Sequence, residues 1–146
     1  MIGINALVDL AKYRDRFRGP CAICVLNNRD LNQVTWEQRV MEGEAKLPAS
    51  QDLPDFPYAG YAELIGLTGV RVDRPEDVGA GWDRVLKADG PAVLEVVTDP
   101  DVPPLPPHIR MEQAKGMAKA IYHGDPDRGG MIRQALKGKL EEFVTR

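Results

Sequence analysis

Residues 69–97 read GVRVDRPEDVGAGWDRVLKADGPAVLEVV, and their punctuation decides the fold. Gly69-Val70-Arg71-Val72 has the length and composition of a short strand. Pro75 with Glu76 and Asp77 then opens a helix, the acids lying at the positive end of its dipole. Val78, Trp82, Val85 and Leu86 follow helical spacing and predict its buried face. Asp89-Gly90-Pro91 breaks that helix, and Ala92-Val93-Leu94-Glu95-Val96-Val97 forms a second strand. A strand, a helix and another strand within so few residues make a right-handed crossover between parallel neighbours.

The same alternation extends upstream. Ile4, Leu7, Val8, Ala11 and Phe17 predict a helix over 4–17, stopped by Gly19-Pro20. Cys21-Ala-Ile-Cys-Val-Leu26 reads as a strand buried on both faces and closed by Asn27-Asn28. Thr35 to Met41 suggests a short helix, and 43–57, with three prolines, an exposed loop. Asp55 fits an N-cap and Pro57 a first turn, before an inward stripe of Tyr58, Tyr61, Ala62 and Ile65. The fold class is therefore α/β, with a parallel sheet of about three strands and flanking helices. The sheet reads as incomplete, because the first helix has no strand ahead of it and parallel sheets need cover on both faces. DPDVPPLPPH, residues 99–108, follows as an extended arm. Two helices come after it, over 111–122 and 130–144, with Ala114, Ala118, Ile121, Ile132, Ala135, Leu136 and Leu140 inward. This divides the chain into an α/β part, 1–99, and an arm with a helical tail, 100–146.

Composition narrows the function classes. The 146 residues are 43% apolar and 28% charged, with a net charge of −3. That balance gives no electrostatic case for nucleic acid or an anionic membrane. No apolar run approaches the ~20 residues of a membrane helix, and the first residues lack the pattern of a signal peptide. Cys21 and Cys24 form a C-x-x-C, but three-residue spacing on a strand sends the sulfurs to opposite faces, so they read as buried and inert. Few cysteines and no export signal place the chain in the cytoplasm. His108 and His123 stand alone and read as surface residues, and Trp36 and Trp82 as packing residues. The basic residues from Arg128 to Lys139 read as the wet face of the last helix; Glu141 and Glu142 weaken the case for membrane binding there.

Ligands of open parallel sheets bind beyond the carboxyl ends of the strands. The first strand ends at Asn27-Asn28, which reads either as a turn or as a pair of hard neutral oxygens suited to Mg²⁺. The longer string Val-Leu-Asn-Asn-Arg-Asp-Leu-Asn-Gln-Val-Thr-Trp-Glu-Gln, residues 25–38, resembles the thiamine diphosphate-dependent enzymes of the acetolactate synthase and pyruvate oxidase type. The resemblance continues, in order, through ELIGL (63–67), VRV (70–72), PAVLEVV (91–97), PPLPPH (103–108) and EQAK (112–115). It implies that Asn27 and Asn28 belong to the cofactor motif, with Asn28 on Mg²⁺ and Asp30 offering its backbone carbonyl. It also implies that Val34 is an apolar wall near the thiazolium and Glu37 a polar pocket residue able to assist proton transfer. The family's Gly-Asp-Gly, whose Asp is a further Mg²⁺ ligand, is absent and falls just before Met1. A glutamate that activates the cofactor comes, in the family, from another domain.

Three readings follow. The first is the downstream part of a thiamine diphosphate- and Mg²⁺-binding domain, inactive alone, from a 2-oxo acid decarboxylating or carboligating enzyme. The complete enzyme would be a homo-oligomer, with FAD a possible companion cofactor only there. The second is a short non-catalytic module that pairs with a larger subunit through an open sheet edge. The third, a small nucleotide-binding domain, ranks last because no Gly-rich phosphate loop is present.

Overall fold

A computed structural model describes residues 4–104 and 110–144. Its elements in order are α1 (Ile4–Lys12), β1 (Cys21–Asn27), α2 (Asn32–Glu37), α3 (Pro48–Gln51), α4 (Tyr58–Leu64), β2 (Thr68–Val72), α5 (Val78–Leu86), β3 (Pro91–Val97), α6 (Met111–Tyr122) and α7 (Arg128–Val144). The chain is α/β, with an open sheet of three parallel strands among the described residues. Two compact units form: Met1–Asn28 with Asp55–Thr98, and Arg29–Pro54 with Asp99–Arg146.

The first unit holds the sheet in the order β1-β3-β2. Cys21 pairs with Pro91 and Asn27 with Val97 on one side, and Thr68 pairs with Ala92 and Val72 with Val96 on the other. Side chains alternate across the central strand. Val93 faces a core built with Leu7, Tyr58, Ala62 and Leu67, which α1 and α4 lay on one face. Ala92 and Leu94 face the opposite core, with Val70, Val72 and Val85. Each fully buried valine or leucine side chain there contributes about 1.5–3 kcal/mol.

Several sequence expectations in this unit are corrected. β1 is an edge strand and is not buried on both faces. The α1/α4 side is covered at Ile23 and Val25. On the other side Leu26 is 67% exposed and Cys24 is exposed. The helix on that side, α5, packs over β2 and β3, so it leaves the outer part of β1 uncovered. Cys21 is half-buried, so neither cysteine has the inert, buried setting expected. The stripe of α5 is also rotated: Val78, Gly81, Val85 and Ala88 turn inward, while Trp82 and Leu86 are exposed. Gly81 explains the rotation. A Cβ there would sit 2.7 Å from Val72 Cγ2, so the helix lies close to the sheet on its glycine side. The first helix ends at Lys12, a 3₁₀ turn covers Arg14–Arg16, and Val8 and Phe17 are exposed. Asp55 does not cap α4; Pro57 holds that position.

The second unit packs α2 and its π-helical continuation, Gln38–Glu42, against α6. Trp36, Val40 and Met131 form its buried centre, with Met117 and Ile121 against them. Close approach is possible because α6 presents Gly116, where a Cβ would lie 2.3 Å from the Val40 carbonyl oxygen. The inward faces of α6 and α7 therefore differ from the expected ones. Gly116, Met117, Ala120 and Met131 are covered, whereas Ala114, Ala118, Ile132, Ala135 and Leu136 are exposed. The 43–57 stretch contains α3 and two buried polar residues, Lys46 and Gln51, where an exposed loop was expected. His123 is exposed as expected; the readings at His108 and at the side chains of Ile4 and Leu140 lie outside the described ones.

Candidate functional site

In the first unit, the carboxyl ends of the strands converge on Glu95. Its side chain has no exposure to solvent. Glu95, Arg71 and Asn27 share the face of the sheet that α4 covers, because 93, 95 and 97 on β3 alternate with 92, 94 and 96. Asn27 Nδ2 donates to Glu95 Oε1 at 2.8 Å and lies 3.4 Å from Asp55 Oδ1. Arg71 Nη1 donates to the same Glu95 oxygen at 2.5 Å. The first-turn amide of Ala59 donates to Glu95 Oε2 at 3.0 Å. A buried carboxylate thus rests on a cation, an amide and the positive end of α4. Asn27 is buried and its amide is directed at Glu95. Asn28 follows β1 and is half-buried.

The second unit opens with a turn. Arg29 has φ 55°, the only left-handed non-glycine among the described residues. Such a conformation persists only where its surroundings impose it. Asp30 then forms an isolated antiparallel bridge with Asp52. Its two hydrogen bonds come from neighbours: Leu31 N–H donates to Gln51 O, and Leu53 N–H to Arg29 O, each at 2.8 Å. The Asp30 carboxylate turns inward, taking the Thr35 hydroxyl at 2.7 Å and the Lys46 ammonium at 2.5 Å. Lys46 also meets Asp52 at 2.6 Å and Asp127 at 3.2 Å. Burial works against its charge, but these carboxylates hold its pKa above the ordinary lysine value. Arg39 lies across the Trp36 ring at 4.9 Å and makes a two-pronged pair with Asp125, both bonds 2.8 Å. Burial opposes ionisation of Asp125, but the Arg39 bonds and the N–H groups of Lys46 and Asp127 pull its pKa below the ordinary value. Arg39 likewise sits above its usual value, the Asp125 and Asp127 carboxylates outweighing its burial.

Two of the residues singled out in the sequence lie on one exposed face of α2. Val34 is 51% exposed, and Glu37, also exposed, accepts a hydrogen bond from Gln33 Nε2 at 2.9 Å. Glu95, Arg71, Lys46, Arg39 and Asp125 were missed. Only Glu95 carried a signal, as the one acid inside an apolar strand. Among the described residues no group of three or more His, Cys, Asp or Glu could hold a metal. Mg²⁺ accepts neutral oxygens as part of its shell. Residue 30 has a main-chain carbonyl of that kind, and its carboxylate is engaged by Thr35 and Lys46. No helix among the described residues is long and apolar enough to cross a membrane.

The comparisons agree with the family resemblance. The family model for the thiamine pyrophosphate enzymes, C-terminal TPP binding domain, matches residues 1–96. Bacillus subtilis YdaP, named for thiamine pyrophosphate, is 31% identical over 128 residues, 88% of this chain and 22% of its own length. The mitochondrial acetolactate synthase catalytic subunit of Aspergillus candidus is 36% identical over 84 residues, 58% of this chain and 12% of its own. The large subunit of acetolactate synthase isozyme 2 of Escherichia coli is 33% identical over 92 residues, 58% of this chain and 16% of its own. The chain thus spans less than a quarter of the length of each of these relatives. With the family match running from the first helix through the third strand, the chain belongs to the thiamine pyrophosphate enzymes and carries their C-terminal TPP-binding domain.

Proposed function

We propose that this domain serves an enzyme that decarboxylates or joins 2-oxo acids, with Mg²⁺ as the companion of thiamine diphosphate. The Asn28 side chain and the Asp30 main-chain carbonyl are the metal ligands, and Asn27 belongs to the same cofactor motif. When bound, thiamine diphosphate supplies the carbon nucleophile that adds to a carbonyl. The chain's own residues bind and orient. Val34 gives an apolar wall, and Glu37 a polar group able to hold or move a proton at its carboxyl oxygens. Substrate is a 2-oxo acid, and the working form is a homo-oligomer. The 146 residues alone do not turn over.

One observation carries this reading: the Asp30 carboxylate is held by Thr35 and Lys46, which favours the main chain of residue 30 as its route to a metal. The similarity to acetolactate synthases supports the substrate class. The test is calorimetric titration of the full chain with thiamine diphosphate at rising Mg²⁺. Asn28→Ala should raise the Mg²⁺ needed for half-saturation by about 10–100-fold, on the scale of changes around metal ligands. Equal binding by Asn28→Ala and wild type would sink the metal assignment.

A second reading, a non-catalytic module paired with a larger subunit, is favoured by the open edge of β1 with Leu26 67% exposed. It expects a monodisperse chain that binds no thiamine diphosphate at any Mg²⁺ concentration.

A further inference from the structure

We infer that Lys46 is a positioning residue for the metal site: by gripping the Asp30 carboxylate it fixes the backbone that presents the Asp30 carbonyl. The inference rests on the assignment of that carbonyl to Mg²⁺.

The grip is built from buried parts. The Lys46 side chain is 7% exposed and the Asp30 side chain 2%. The Thr35 hydroxyl holds the second carboxylate oxygen from α2. Lys46 is in turn fixed from two directions. Its own N–H donates to Asp125 Oδ2 at 2.9 Å, and its ammonium reaches Asp127. Asp125 and Asp127 lie on the turn between α6 and α7, and Arg39 holds both. The turn after α6 thus reaches residue 30 through one lysine.

Stability alone is a poor reason for this arrangement, because a buried ion pair often does no better than apolar side chains of the same volume. Geometry is a better one. The residue before Asp30 is Arg29, in a left-handed conformation that an arginine rarely adopts. A strained residue keeps its conformation only when its neighbours over-determine it. The bridge bonds through Arg29 O and Leu31 N–H hold the backbone on one side, and the Lys46–Asp30 pair holds the side chain. Lys46 meets three carboxylates, Asp30, Asp52 and Asp127.

The test uses Lys46→Met in the full chain, and the double variant Lys46→Met with Asp30→Asn, which leaves no uncompensated buried charge if the single variant folds poorly. Val85→Ala, in the core of the sheet, serves as a comparison of general destabilisation. Two readouts are taken by NMR. The first is amide hydrogen exchange at Leu31 and Leu53, measured relative to Leu94. Both Lys46 variants should exchange at least ~10-fold faster at Leu31 and Leu53, with Val85→Ala showing no such local excess. The second is broadening of the Asp30 and Leu31 signals by Mn²⁺ with thiamine diphosphate. The Mn²⁺ needed should rise about 10–100-fold in the Lys46 variants, as for groups that orient metal ligands. Unchanged exchange at Leu31 and Leu53 overturns the inference. Broadening equal in wild type and variants also overturns it, while leaving the metal assignment standing. Broadening absent from wild type overturns the metal assignment and the inference with it.

Discussion

Glu95→Gln isolates the polar centre of the sheet, because it removes one charge and changes almost no volume. Glu95 accepts three hydrogen bonds: from Asn27 and Arg71 on Oε1, and from the Ala59 amide on Oε2. A glutamine has one oxygen and one NH₂ group. If its oxygen faces Ala59, its NH₂ meets the donors of Asn27 and Arg71. If its oxygen faces Asn27 and Arg71, its NH₂ meets the Ala59 N–H. Either way one buried donor faces another, at about 1–3 kcal/mol, and at least one charge-assisted bond weakens, at about 1.5–3 kcal/mol when lost outright. Arg71 is 40% exposed and recovers part of the loss in water. A total of about 2–4 kcal/mol is expected from Glu95→Gln, and a further loss from Glu95→Ala, which also leaves a cavity. Urea unfolding followed by circular dichroism measures it, with the slope against urea checked for constancy. A cost under about 0.5 kcal/mol for Glu95→Gln, the range of an ordinary surface change, would refute the reasoning.

Other outcomes follow from contacts of the same kind. Gly116→Ala places a methyl 2.3 Å from the Val40 carbonyl oxygen, so α6 must shift; Gly79→Ala meets nothing within 4 Å on α5. Thermal unfolding should show the first lowering stability by about 1–3 kcal/mol and the second raising it by up to about 1 kcal/mol; the reverse order would contradict the packing. The lowered pKa of Asp125 means that its contribution to stability is complete above its unfolded value, near 4, and is lost as pH falls through the lowered folded value. Acid titration of wild type against Asp125→Asn should therefore show a component of the acid loss that the variant lacks; identical slopes below pH ~4 would contradict it. Asp101, raised by burial and by Asp99 and Asp127, contributes with the opposite sign. Native-state alkylation with iodoacetamide should label the exposed Cys24 before the half-buried Cys21, and oxidation should join chains without closing a Cys21–Cys24 loop. An intrachain disulfide in the mass spectrum would show that β1 does not hold its sulfurs apart.

The parts of this chain that the sequence revealed are those governed by local rules. Pro75 and Asp89-Gly90-Pro91 bracket α5 because proline and glycine act on their own backbone. The alternation of strand and helix then leaves parallel pairing as the short route. The faces of the helices were less legible. Ala114 and Ala118 look inward by composition, but Gly116 decides the packing of α6 by having no side chain, and glycine gives no hydrophobic signal. The double burial expected of β1 failed for a similar reason. Six apolar residues cannot reveal how far along an edge strand the helix of another segment reaches. Within the candidate site, Asn27, Asn28, Asp30, Val34 and Glu37 were named through a resemblance to a motif. Lys46 and Asp125, which hold Asp30 and Arg39, lie among prolines and turn residues where an exposed position is the ordinary expectation.

The two units bury charge in the same manner, and this bears on what the chain can offer a metal. Glu95 is matched to Arg71, Asp125 to Arg39 and Asp30 to Lys46. A carboxylate already held by a cation in a dry site gives up that partner only at a cost of several kcal/mol. Recruiting any of the three as a magnesium ligand would take a carboxylate from a cation that it already holds, Arg71, Arg39 or Lys46, so the three acids serve the fold. The neutral oxygens proposed as ligands, at residues 28 and 30, carry no such charge penalty. An amide and a peptide carbonyl can turn to a cation without leaving an opposite charge behind. On the proposed assignment the division of labour is physical: acids hold the backbone in place, and an amide and a peptide carbonyl meet the ion.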